Sequence, residues 1–145
     1  MFFHSFPYGD FATLALFTFH SYIMVDLEDL RLPPHHLEAE KSVLSCLLLD
    51  NEVLYLIEGV ALEPVDFYQK EHQLIFDAVR ELWHARKTID VITLSNQLTK
   101  GDHLDVVWGI DYLYEIASWV ITTAMAMDYA KIVKEKAVLR NILKA

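Results

Sequence analysis

From Leu37 onward the apolar residues recur three and four positions apart rather than at every second position, the spacing of helices with one buried face. The pattern opens with Leu37, Glu40/Lys41, Leu44 and Leu47/Leu48 on one stripe, after a Pro33-Pro34 pair that a helix tolerates only at its entrance. Glu38 and Glu40 fall in the first turn, where a carboxylate suits the positive end of the helix dipole. Asp50-Asn51 breaks this helix and caps a second over residues 52–60, predicted to bury Val53, Leu56, Ile57 and Val60. After Glu63-Pro64-Val65-Asp66 the spacing predicts a long helix over 70–84, with Leu74, Ile75, Ala78, Val79 and Leu82 on its inner face. Asp90 is the expected cap of a helix over 91–98, and Gly101 its expected left-handed stop. Gly109 precedes a helix carrying Tyr112, Leu113, Ile116 and Trp119; Thr122 and Thr123 are the expected caps of a last one from Ala124 on.

The fold class predicted is therefore all-α: a small helical bundle followed by a long C-terminal helix. No internal repeat, low-complexity tract or usable strand alternation interrupts that reading. The expected core contains Leu44, Leu47, Leu48, Phe67, Leu74, Ile75, Phe76, Val79, Leu94 and Leu113. On the last helix, Tyr129, Ile132, Val133, Lys136, Leu139, Ile142 and Leu143 form a stripe still running where the sequence stops at Ala145. An apolar helix face needs cover. The stripe is expected to meet another subunit, burying on the order of several hundred Å², enough for a weak dimer. Ile132→Asp is the expected disrupter of that contact.

Composition adds little to the fold and more to the partners. The 145 residues are 54% hydrophobic, with four glycines and four prolines, as a folded helical domain requires. The net charge of −9 argues against tight DNA binding, which takes a basic face to displace counterions. Protein partners are the better expectation. The single cysteine, Cys46, lies in an apolar run and reads as a small buried hydrophobe; with no disulfide available, a cytoplasmic location is expected. Residues 1–23 differ from the rest. They hold eight aromatic side chains and one formal charge, Asp10, with no Lys or Arg before Arg31, which does not suit a secretory signal. Residues 11–19 are too short to span a bilayer. The segment is expected to be disordered or artefactual, an extension ahead of a natural start at Met24; the rival reading is an amphiphilic docking peptide. The bundle is assigned to 24–123 and the start of the long helix to 124–145.

No catalytic constellation can be assembled. None of the four glycines is followed by Lys-Ser or Lys-Thr, so no phosphate loop is encoded, and there is no Cys-x-x-Cys. No cofactor or metal is expected in this chain: His35-His36 point to different sides of a helix entrance and His72 and His84 are three turns apart. These histidines read as surface residues, or one or two of them as hydrogen-bonded within the packing. Glu63 and Asp66 read as capping carboxylates, Trp83, Trp108 and Trp119 as core or interface anchors rather than base-stacking platforms, and Lys131, Lys134, Lys136, Arg140 and Lys144 as a solvated face.

Taken in order, several blocks resemble one family. Leu32-Pro33-Pro34-His35-His36-Leu37-Glu38-Ala39-Glu40-Lys41-Ser42-Val43-Leu44, continued by Leu47-Leu48-Leu49-Asp50, is similar to the opening of DnaB-type replicative DNA helicases. Pro64-Val65-Asp66-Phe67-Tyr68 with His72 and Ile75-Phe76, then Ile89-Asp90-Val91-Ile92-Thr93-Leu94, then Tyr112-Leu113 and Tyr129-Ala130-Lys131-Ile132-Val133-Lys134-Glu135-Lys136, resemble its later blocks. The resemblance covers residues 30–145. Ser45 stands where the family usually has glycine, Trp108 replaces the first of a glycine pair, and residues 124–127 lack the usual asparagine. The resemblance implies the non-catalytic N-terminal domain, a helical bundle leading into a helical hairpin whose first arm is cut short here. It implies a collar, a trimer of dimers on a hexameric ring, that supports assembly and contacts primase and the helicase loader. ATP and Mg would belong to the parent's C-terminal motor domain. Two other readings remain: a truncated paralogue that modulates a helicase ring, and a helical DNA-binding module.

Overall fold

The computed structural model describes residues 32–144, and those from His35 onward form one compact unit. The expectations for residues 1–23 and for Met24 lie outside the described residues. Among the described residues six α-helices follow one another: α1 (Leu37–Leu49), α2 (Val53–Leu56), α3 (Lys70–His84), α4 (Val91–Lys100), α5 (Gly109–Ala117) and α6 (Ala126–Lys144). Two 3-10 turns, Glu58–Val60 and Pro64–Asp66, connect α2 to α3. No strand occurs among the described residues.

α1 is the central element. It packs against α6, α5 and α3, and has almost no polar side to spare. Val43, Leu44, Cys46 and Leu47 are all fully buried, together with Ser45 and most of Glu40. His36 caps its start, its Nδ1 accepting from the Ala39 amide at 3.1 Å. The second predicted helix is shorter than its pattern suggested. It makes one α turn and then tightens into the Glu58–Val60 turn, which ends on Ala61 in the left-handed region. Val53 and Ile57 are buried as expected, Val60 is partly buried, and Leu56 is exposed on the outer side of the α turn.

Asn51 does not cap α2 as expected: the N-cap position is Glu52, with no side-chain cap bond, and the Asn51 side chain turns elsewhere. Its Nδ2 donates to the carbonyls of Leu47 and Ile89 at 2.9 Å each, and its Oδ1 accepts from the Ile89 amide at 3.0 Å. One side-chain amide thus stands in for a neighbouring backbone and pins the α3–α4 connection to the end of α1, with Ile89 buried beneath it. α3 occupies the predicted residues, and Ile75, Ala78, Val79 and Leu82 are buried on one face. Asp90 caps α4, accepting from the Thr93 amide at 2.8 Å. Gly101 is not left-handed: its φ is −91°, and Asp102 takes the positive φ of 56° instead. Asp tolerates that region better than most residues, so the stop moves one place on.

Of the expected core, Leu44, Leu47, Phe67, Ile75, Phe76, Val79, Leu94 and Leu113 are buried; Leu48 and Leu74 lie at its edge, partly covered. Phe67 and Phe76 meet at a tilt, centroids 4.8 Å apart, in the middle of it. α6 closes the bundle. Its inward face is Ala126, Ala130, Val133, Ala137 and Arg140, spaced four and three apart. The alanines bring the α6 backbone close to α1, and the burial there comes from proximity rather than from large side chains.

Candidate interaction surfaces

Two buried polar clusters decide how the surface is set. In the first, Glu40 is 1% exposed and accepts from three donors: the Tyr68 amide at 2.6 Å, the Gln69 amide at 3.3 Å and His72 Nδ1 at 2.7 Å. A carboxylate only accepts, so Nδ1 carries the proton. His72 Nε2 then faces the Tyr112 hydroxyl at 2.8 Å. Burial, followed by the charges of Glu115, Glu71 and Glu40, pushes the Tyr112 hydroxyl up to about 12, so it keeps its proton and can donate it to Nε2. The cluster ties α1, the start of α3 and α5 together. His72 is the histidine hydrogen-bonded within the packing; His36 caps α1, and His84 is exposed. Glu40, read as a dipole partner, is a buried hub. The signal was present, because Glu40 stands between Leu37 and Leu44 on the inward stripe.

The second cluster fastens α6. Asp66 is buried, and its Oδ2 accepts from the Glu63 amide at 2.8 Å and from Lys134 Nζ at 3.0 Å. Lys134 also donates to the Ala61 carbonyl, and Arg140 donates to the Asp66 carbonyl while lying over the Tyr68 ring. Glu63, in turn, pairs with Arg80. The Glu63–Asp66 pair therefore caps, as expected, but Lys134 and Arg140 are not a solvated face. They point inward and lock the rotation of α6 against the Pro64–Asp66 turn.

That rotation divides the expected contact stripe. Val133 is 2% exposed and belongs to the chain's own core, so it is not available to another subunit. Tyr129 and Ile132 flank it, partly buried against the same core, and Lys136 is half-buried beside them. Ile132 is therefore a poor probe of association, since a charge there would also disturb the fold. Leu139, Ile142 and Leu143 are exposed, joined by Val138. The sequence pattern weighed the large residues and missed the alanine face one step around the helix. Where α6 passes the Glu58–Val60 turn, an open groove of about 460 Å³ is lined by Gly59, Val60, Lys131, Glu135, Val138 and Leu139.

The tryptophans sit apart from that groove's lining. Trp83 is partly buried and meets Tyr55 edge-on, with centroids 4.8 Å apart. Trp119 donates its indole N–H to Ser42 Oγ at 3.1 Å and carries Lys41 Nζ 4.1 Å above its ring. Trp108 is 53% exposed on a left-handed backbone, φ 67° and ψ 24°. A non-glycine residue held there costs about 1–3 kcal/mol. Among the described residues, no three His, Cys, Asp or Glu side chains are grouped so that they could hold a metal ion, and no helix is long and apolar enough to cross a membrane.

This arrangement has relatives. The profile of the family described as DnaB-like helicase N terminal domain matches residues 32–135. The replicative DNA helicase DnaC of Bacillus subtilis (strain 168) is 40% identical over 121 residues, which is 83% of this chain and 26% of that protein. The replicative DNA helicase DnaB of Leifsonia xyli subsp. xyli (strain CTCB07) is 39% identical over 115 residues, 79% of this chain and 25% of that protein. The chain thus spans about a quarter of the length of these relatives. Among solved structures, the N-terminal domain of DnaB helicase from Mycobacterium tuberculosis superposes with a TM-score of 0.74 at 36% identity, covering 78% of this chain and 81% of that one. A structure described as a DnaB-like replicative helicase and its interactions with primase shares the fold, with a TM-score of 0.67 at 23% identity over 75% of this chain and 25% of that one. The helices, their order and the sequence blocks that build the two buried clusters place this chain in the DnaB-like helicase N-terminal domain family.

Proposed function

We propose that the chain serves as the assembly and docking domain of a replicative DNA helicase, supporting formation of the hexameric ring and contacts with primase and loader, while ATP-driven unwinding belongs to a motor domain. The observation that carries this reading is the fixed orientation of α6. Lys134 and Arg140 hold one face on the bundle, so Leu139, Ile142 and Leu143 are presented outward together. Fully burying an aliphatic side chain of this size is worth about 1.5–3 kcal/mol, and a second subunit is the cover expected for this strip.

The test is sedimentation over a wide concentration range. The chain is expected to self-associate, and Ile142→Asp, at a position 63% exposed, to shift it to monomer while keeping the helical signal, and the melting temperature measured at dilutions where wild type is itself monomeric. A wild-type chain that stays monomeric at every concentration overturns the reading of α6 as a subunit contact.

A further inference from the structure

Trp108 carries a cost that its own packing does not account for. Its backbone is left-handed, and it precedes Gly109, which is also at positive φ. A bulky residue in that region is a conformational outlier. Yet the indole remains 53% exposed, with one ring neighbour, Tyr112, met edge-on at 4.7 Å. The same Tyr112 lies under Lys41, whose ammonium spans to Trp119 and pairs with Glu115. Trp108, Tyr112, Lys41 and Trp119 therefore form one continuous aromatic face, with its single cation already neutralised.

The chain segment that carries Trp108, Tyr112 and Trp119 is charged with one sign only. Residues 101–130 contain five carboxylates and no Lys or Arg. Asp105 and Asp111 stand three residues either side of Trp108, both exposed, and Glu71 and Glu115 lie close enough to act on Tyr112. Carboxylates around exposed aromatic rings repel phosphate and attract guanidinium, which stacks on an indole while its N–H groups reach carboxylates. We propose that the Trp108–Tyr112–Trp119 face is a docking site for a basic, arginine-bearing segment of a partner protein. It uses α5 and the turn before it, not the exposed tip of α6, so its success or failure is separate from that of the subunit contact.

The probe is a capped peptide of alternating leucine and arginine, titrated into the isotope-labelled full chain while the indole N–H signals are followed. The Trp108 signal is expected to shift saturably. Trp108→Gly, which relieves the backbone, and Asp105→Asn/Asp111→Asn are each expected to weaken binding by about tenfold or more. Ile142→Asp should leave the affinity unchanged, and each variant should keep the helical signal of wild type. The proposal is overturned if Trp108→Gly binds the peptide within about twofold of wild type. It is equally overturned if an oligothymidylate shifts the same signal, which would make the face a single-strand platform. Loss of self-association on Trp108→Gly would make it a contact between copies and overturn the proposal too.

Discussion

Glu40→Ala is expected to remove roughly 3–5 kcal/mol of unfolding free energy in a urea titration. The carboxylate is almost fully buried and satisfies two backbone amides and the His72 ring at once. Deleting it leaves all three donors without their acceptor, the His72 ring in the buried interior and the two amides partly buried, and each fully stranded group costs about 1–3 kcal/mol. A domain of this size has about 5–15 kcal/mol in total, so the loss is a large share. Substituting an apolar residue of similar volume should not rescue it. Replacing a buried pair with hydrocarbon can be neutral when both partners go, but the Tyr68 and Gln69 amides belong to the backbone and cannot be removed. Glu40→Gln keeps an acceptor and should cost less. A change below about 1 kcal/mol for Glu40→Ala would mean that the cluster is wet or rearranges freely, and the hub role would be lost.

Ala130→Leu is expected to cost about 1–3 kcal/mol, with the loss concentrated in α6. Ala130 is fully buried at the middle of the alanine face that meets α1. Added methylenes have no void to enter, so either side chains leave their rotamers or the helix lifts away. Lifting also pulls Lys134 and Arg140 off the Pro64–Asp66 turn. Faster amide exchange along α6, with α3 and α4 protected as before, is the expected signature. Undiminished stability and exchange would show that the α1–α6 contact is loose, and the fixed presentation of Leu139 and Ile142 would have no basis.

Periodicity was sufficient wherever a helix buries large aliphatics beside a polar outer face. α3 is the clearest case: its residues and its inner stripe follow from Leu74, Ile75, Ala78, Val79 and Leu82 alone. The resemblance then supplied the family, because ordered blocks carry more information than any single helix. The misread faces of α1 and α6 share one cause. Burial was read from side-chain size and charge, whereas Val133 is inward because alanines surround it, and Glu40, Lys134 and Arg140 are inward because specific partners await them. Those partners lie 32, 68 and 74 residues away, beyond the reach of local spacing. Gly101 misled for the opposite reason: glycine permits a left-handed stop without requiring one.

The central helix also carries its own reporter. Cys46 is the only thiol in the chain, wholly enclosed in α1, with its sulfur 3.9 Å from the Thr122 carbonyl in the connection that leads into α6. Burial raises its thiol above the ordinary range, so the enclosed sulfur is a poor nucleophile. A colorimetric disulfide reagent can then consume it only when a local or global opening of the bundle uncovers α1. The reaction half-life becomes a clock for the opening, readable in an unmodified chain without any introduced label.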